Sequence, residues 1–303
     1  MKYRQDFKSN LIYILLSIWV SSCSREYNIG KIHIIDETNL KYSVNISDIA
    51  EKLIKGTTYL DTTEPSKSNS SLKITLSEIN ISTDKSKVIN RYNVTLTLTT
   101  TTKGNGIQIF QTTSSLQSDI NQNESTSQIR YLLHDAFVKL DYQCKIRKFK
   151  EEKLFKAFES KKTIRWMREA ILDEINNRLN SNSIQDNETA FNFLYNCFLK
   201  QPREFGDKII GILSSYDFSK IKLDERTKDQ ISLKLARYCL EREPHIQIHT
   251  INILGKIDTE IARSIIFTLS TGSVNRSVRE HAKEVLSELE KRNNITNNIF
   301  TSK

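Results

Sequence analysis

The 303-residue sequence has little of what enzymes and metal sites are built from: 8 Gly, 4 Cys and 5 His. So few glycines leave no Gly-rich loop to cradle phosphate, and no GxSxG nucleophile elbow is present. Cys144, Cys197 and Cys239 are widely spaced, odd in number once Cys23 is set aside, and without a CxxC pair, which argues against a zinc site and a disulfide framework. A bridge between two of the three stays open in an oxidising compartment. His245 and His249 are four apart on a predicted helix, without the acid of HExxH or a third ligand; His33, His134 and His281 are isolated. Asp224, Glu225, Asp229, Glu241 and Glu243 cluster as charged helix faces commonly do. No catalytic, cofactor-binding or metal residue is assigned, and the chain reads as non-enzymatic. Long apolar runs are missing too. The run Leu11–Val20 spans ten residues, well short of the roughly 20 a membrane-crossing helix needs.

That short run is nonetheless informative. Lys2, Arg4 and Lys8 precede it, and Ser21 and Ser22 lead from it to Cys23, the layout of an export signal. Val20-Ser21-Ser22-Cys23 resembles the lipobox of bacterial lipoprotein precursors. The resemblance implies that the Cys23 thiol receives a diacylglycerol unit, that the chain is cut before it, and that the new N-terminus is acylated (palmitate being the usual chain). Acyl chains hold a soluble domain on a bilayer at about 0.8 kcal/mol per buried methylene. Ser24 follows Cys23 where inner-membrane members of that family tend to carry Asp, so the implied address is the outer membrane, facing the periplasm.

The formal net charge is +9. For an exported chain the expected counter-charge is anionic lipid, lipopolysaccharide or cell-wall polymer rather than nucleic acid. Eight Asn-x-Ser/Thr sequons, from Asn45 to Asn294, follow from the abundance of Asn and Ser.

Beyond the signal the chain changes character twice. Ile32 and Ile34 alternate as a short strand. Ile46, Ile49, Ala50, Leu53 and Ile54 form one helical face closed by Gly56. Residues 61–70 read as a polar loop. Leu72, Ile74 and Leu76 alternate, and Ile79 and Ile81 continue in the opposite phase, which suggests a bulge near Ser77. Tyr92, Val94, Leu96 and Leu98 alternate with Thr, and Lys103-Gly104-Asn105-Gly106 turns the chain into Ile107–Phe110 as a hairpin. Ile129, Leu132, Leu133, Ala136, Phe137 and Leu140 make a second amphipathic helix. The expected α+β domain is therefore strand, helix, three strands, helix, with both helices on one sheet face and a threonine face left wet. In element order it resembles the lipopolysaccharide-assembly lipoproteins of the outer membrane and small domains of envelope lipoproteins that regulate cell-wall synthases.

Lys145 to Arg168 holds ten basic and three acidic residues among Phe149, Leu154, Phe155, Phe158 and Trp166. Lys145, Arg147, Lys148, Lys150, Arg165 and Arg168 are its candidate contacts to an anionic surface; the alternative is the solvated face of an amphipathic helix. From Thr163 onward helices are expected at 164–179, 190–199, 205–213, 228–240, 245–256, 260–269 and 274–290, joined by short turns. Within them Ile246, Thr250, Ile253, Leu254 and Ile257 match Val278, Ala282, Val285, Leu286 and Leu289 at one fixed spacing. With Pro244 leading a helix and Leu254-Gly255 near its end, the segment resembles HEAT-type helical repeats, although Gln247 and Ser287 depart from the usual Arg and Gly. The resemblance implies an α-solenoid that grips another protein.

The expected organisation is thus signal peptide 1–22, lipidated tether 23–30, α+β domain 31–145, basic connecting helix 146–162, HEAT-like array 163–292 and a disordered tail 293–303. The expected role is a lipid-anchored, non-catalytic interaction scaffold for an envelope protein. The alternatives are a lipopolysaccharide or outer-membrane assembly factor and, third in order, an envelope hydrolase.

Overall fold

The structure is a computed structural model that describes residues 27–38, 45–84, 87–102, 106–118, 125–240 and 242–301. Cys23, the signal run and the start of the tether lie outside the described residues. The chain divides into two compact units, residues 1–149 and 150–303. No helix among the described residues is long and apolar enough to cross a membrane.

In the first unit β1 (Tyr27–Glu37) leads to α1 (Ile46–Gly56), then β2 (Leu60–Thr62), β3 (Ser70–Asp84), β4 (Lys87–Thr102), β5 (Gly106–Ser118) and α2 (Ser125–Arg147). The sheet order is β2-β1-β3-β4-β5; β1 runs parallel to β2 and β3, and the remaining pairs are antiparallel. Asn45 caps α1 by accepting from the Ser47 amide at 3.0 Å, and Thr57 closes it on the Ile54 carbonyl. The α1 face Ile46, Ala50 and Ile54 and the α2 face Ile129 to Leu140 bury themselves against Leu72, Ile74, Leu76, Val94, Leu96 and Leu98. Each fully buried aliphatic side chain contributes about 1.5–3 kcal/mol. Asp141 of α2 accepts from the amides of Thr58 and Tyr59, both at 2.9 Å, which fixes the turn that delivers β2 to the sheet edge.

Several expectations are corrected. A fifth strand, β2, lies where a loop was expected, because Leu60 to Thr62 pair in parallel with Tyr27 to Ile29. The first strand starts at Tyr27; Tyr27 and Ile29 are buried, Ile32 packs partly buried against the same core, and Ile34 is exposed; the folded region therefore begins inside the segment expected to be tether. Pairing of β3 with β4 is continuous through Ser77, and the irregularity falls between Ser82 and Asp84. Ile79 changes phase because the core face ends at Glu78, whose Oε1 accepts from the Tyr92 hydroxyl at 3.2 Å. Ile79 simply lies on the opposite, open face, where it is exposed.

The second unit is helical: α3 (Glu151–Glu159), α4 (Arg165–Asn180), α5 (Asn187–Lys200), α6 (Pro202–Ser215), α7 (Glu225–Cys239), α8 (Pro244–Ile257), α9 (Glu260–Gly272) and α10 (Arg276–Thr301). Starts are marked by Asp186, Asp224 and Thr259, each accepting from a first-turn amide, and by Pro202 and Pro244 in the first turn. Helices pack as the pairs α3/α4, α5/α6, α7/α8 and α9/α10. Alternate helices also pack on one another, α4 on α6, α6 on α8 and α8 on α10, with α7 on α9 beside them. The basic segment is not one connecting helix. Its first part is the end of α2, and its second part, α3, buries Leu154 and Phe158, with Phe155 stacked on Phe193 at 4.4 Å. The last helix runs past Arg292 to Thr301, through the segment expected to be a tail, because no Gly or Pro interrupts it.

Candidate interaction surfaces

The burial pattern of α8 recurs on both neighbours in its row. Ile246, Thr250, Ile253 and Ile257 are buried, as are Val278, Ala282, Val285 and Leu289 of α10 at the matched positions. The same pattern occurs in α6, where Phe205, Ile209, Ile212 and Tyr216 are buried. Sequence reading missed this third copy because the loop Asp217–Asp224 lengthens the spacing and aromatic residues replace aliphatic ones. Gly255 permits close approach of α8 to α10: a Cβ there would lie 2.6 Å from Val285 Cγ1. In α4, Glu174 occupies the matching core position. It is buried and accepts from Arg178 Nε at 2.6 Å, with side-chain exposures of 6% and 12%.

On the outward side of this row, matched positions carry polar groups that reach back to the preceding helix. Lys208 of α6 pairs with Asp173 of α4 at 2.7 Å. His249 of α8 meets Ser214 of α6, Nδ1 to Oγ 2.8 Å, and His281 of α10 meets Asn252 of α8, Nε2 to Oδ1 2.6 Å. Ser214 donates its single hydroxyl proton to the Gly211 carbonyl, so His249 Nδ1–H is the donor in the second rung. Asn252 Oδ1 is acceptor only, so His281 donates from Nε2 and turns Nδ1 towards Glu284, 3.5 Å away. Burial, followed by the nearby His245, pushes the His249 pKa down. Lys256 donates to the carbonyls of Ser214 and Tyr216 at 2.6 and 2.9 Å, closing the end of α6. Its desolvation lowers its pKa. Beside it a furrow of about 310 Å³ is lined by Asn252, Gly255, Lys256, Glu288 and Arg292 among others. These groups make a ridged polar surface suited to hydrogen bonding, and the described residues include no group of three or more metal-ligating side chains.

The six basic candidates are divided between the units. Lys145 and Arg147 end α2 and Lys148 follows it in the first; Lys150, Arg165 and Arg168 belong to the second. Lys148 lies over the Tyr59 ring at 4.7 Å, Arg165 pairs with Glu169 at 3.0 Å, and Arg168 faces the Phe158 ring and donates to the Ser160 carbonyl. Much of this positive charge is thus engaged within the fold. Cys144, Cys197 and Cys239 are buried; desolvation pushes Cys197 up to about 12 and Cys239 up to about 11, so both behave as small hydrophobes. The pair His245 and His249 has its rings 6.5 Å apart, and the latter's Nδ1 is already bonded.

The sheet's open face carries Thr75, Thr95, Thr97, Thr99 and Thr113 with Lys31, His33, Lys73 and Arg91, and Thr95 and Thr113 hydrogen-bond across the strands at 3.0 Å.

No protein-family model and no curated protein matches the chain. Among solved structures it is similar to a crystal structure of a minor lipoprotein from Acinetobacter baumannii, at 12% identity and a TM-score of 0.23, over 38% of this chain and 91% of that one.

Proposed function

We propose that this chain is a lipid-tethered protein of the bacterial envelope that binds another envelope protein through the row α4, α6, α8 and α10, without catalysis. The observation that carries the reading is the recurrence of one burial pattern along that row, with the polar rungs Asp173–Lys208, Ser214–His249 and Asn252–His281 on its outer side. HEAT-like stacking of helix pairs produces this kind of extended, regularly spaced surface, which suits protein recognition. The tether rests on the lipobox-like Val20-Ser21-Ser22-Cys23. The test is cross-linking from the row. Full-length chain carrying photo-reactive groups at Asp173 and Lys208 is expected to capture a defined envelope protein. Capture should be lost when His249, Asn252 and His281 of the other rungs become Ala. The same capture by the altered chain overturns the reading.

A second reading, assembly or carriage of lipopolysaccharide, draws on the open sheet face, where Lys31, Lys73 and Arg91 lie among threonine hydroxyls. It predicts saturable binding of lipopolysaccharide that weakens with salt and with Lys31→Glu and Lys73→Glu. Absence of binding at low salt removes it.

A further inference from the structure

The two edges of the sheet are finished differently. On the β2 side the edge is short and guarded. The Pro65–Lys67 turn packs on β1 so closely that a Cβ on Gly30 would lie 2.3 Å from Ser68 Cβ and 2.9 Å from Pro65 Cα. The stretch of β1 beyond β2 then carries Lys31, His33, Asp36 and Glu37. Short strands, proline and charge are the usual means by which a sheet edge is kept from pairing with other chains. The opposite edge has none of them. All thirteen residues of β5, Gly106–Ser118, are free of charge and of proline.

Part of that edge is covered. Gln143 of α2 donates to the Gln111 carbonyl at 3.0 Å, and Lys139 reaches the Thr113 carbonyl at 3.5 Å. These carbonyls therefore point away from β4. In an antiparallel ladder inward- and outward-pointing residues alternate, so the backbone groups of Ile107 and Ile109 point outward as well. Their side chains lie on the open face, 70% and 65% exposed. The strip Ile107-Gln108-Ile109 is thus an uncharged apolar edge next to a stretch that α2 protects.

We propose that this strip is a self-association seam at which the β5 edges of two copies pair antiparallel about Gln108. A second copy fits for two reasons. Ile-Gln-Ile reads the same in both directions, as a two-fold antiparallel contact requires, so Ile107 meets the partner's Ile109 and Ile109 the partner's Ile107. Two chains of net charge +9 repel each other, and β5 brings no like charges into register where they meet. The α2 side chains on Gln111 and Thr113 end the seam, which makes it short and the dimer reversible.

The register gives a specific test. Gln108 would face its own copy in a non-hydrogen-bonded pair, with Cα atoms about 4.5 Å apart, within disulfide range. Full-length chain with Cys23→Ser is used, the other three thiols being buried. Gln108→Cys is expected to form a disulfide dimer on mild oxidation, and Gln111→Cys is not. Sedimentation equilibrium of the chain without added cysteines should show a concentration-dependent dimer. Ile107→Lys with Ile109→Lys should raise its dissociation constant at least about tenfold by placing like charges opposite one another. The melting curve should be unchanged, since both positions are exposed. A chain monomeric at every concentration, equal cross-linking at positions 108 and 111, or dimerisation indifferent to the lysines overturns the seam. So does a monomer that instead binds an isolated Ile-x-Ile peptide.

Discussion

The sheet unit and the helical unit bury their apolar residues by different routes. In the first, parallel pairing of β1 with β3 joins Ile32 to Leu72 across an intervening helix, and both helices share one core with all five strands. In the second, helices pack in consecutive pairs and alternate helices stack along the row, so burial is local and repeated. A core shared by distant segments should fail as a whole, whereas a stack should fail near the lesion.

The largest expected effect tests that contrast. Phe137→Ala removes a buried ring from α2 and should cost about 3–5 kcal/mol. Hydrogen exchange should speed up in all five strands together. Ile251→Ala in α8, also fully buried, should cost about 2–5 kcal/mol but speed exchange chiefly in α6, α8 and α10. Uniform loosening of the whole helical unit would break the comparison.

Next is the buried pair Glu174–Arg178, a polar intrusion at a position that is Ile212, Ile253 or Val285 in the other helices of the row. Glu174→Gln leaves the guanidinium without its anion and should destabilise by about 3–5 kcal/mol in denaturant titration. Replacing both residues by Leu should be neutral or stabilising by about 1–4 kcal/mol, if the pair is a costly substitute for an aliphatic contact. Smaller again, Gly255→Ala should cost about 1–3 kcal/mol by pushing α8 from Val285, read as a lower thermal midpoint of the helical unit alone.

Acid should separate the units by a smaller margin. His249 has a depressed pKa, so its contribution is complete above the ordinary value of 6.5 and is lost as pH falls through the lower folded value. Asp135 in the sheet unit is desolvated, which raises its pKa, but hydrogen bonds from Lys139 and Ser114 outweigh this and hold it below 3.8. Its contribution is complete above 3.8 and lost only at still lower pH. Acid titration followed by unit-specific exchange should therefore loosen the helical unit first, and His249→Gln should remove the early phase.

The same contrast explains what was legible in the sequence. The helices from α4 to α10 follow from apolar periodicity and local caps, and their expected spans agree with the structure to within a few residues at most ends. The strand β2 was not legible, since three residues carry no period and their pairing is with Tyr27 to Ile29, distant in sequence. The second half of β5, Gln111 to Ser118, has one aliphatic residue and is a strand because β4 pairs with it. Ile79 misled because its phase was read as backbone geometry when it marked the end of the covered face. The rungs on the helical row were half legible: His249 and His281 share the fixed spacing of the repeat, but their partners Ser214 and Asn252 meet them only once α6, α8 and α10 are stacked.

Everything proposed about this chain in the cell depends on Cys23, and intact-mass analysis of full-length protein extracted from bacterial membranes tests it most directly. The expected mass is that of a chain beginning at Cys23 with diacylglycerol and a further acyl group attached. A chain that retains residues 1–22, or one cut elsewhere with an unmodified Cys23, would contradict the tether and with it the envelope role.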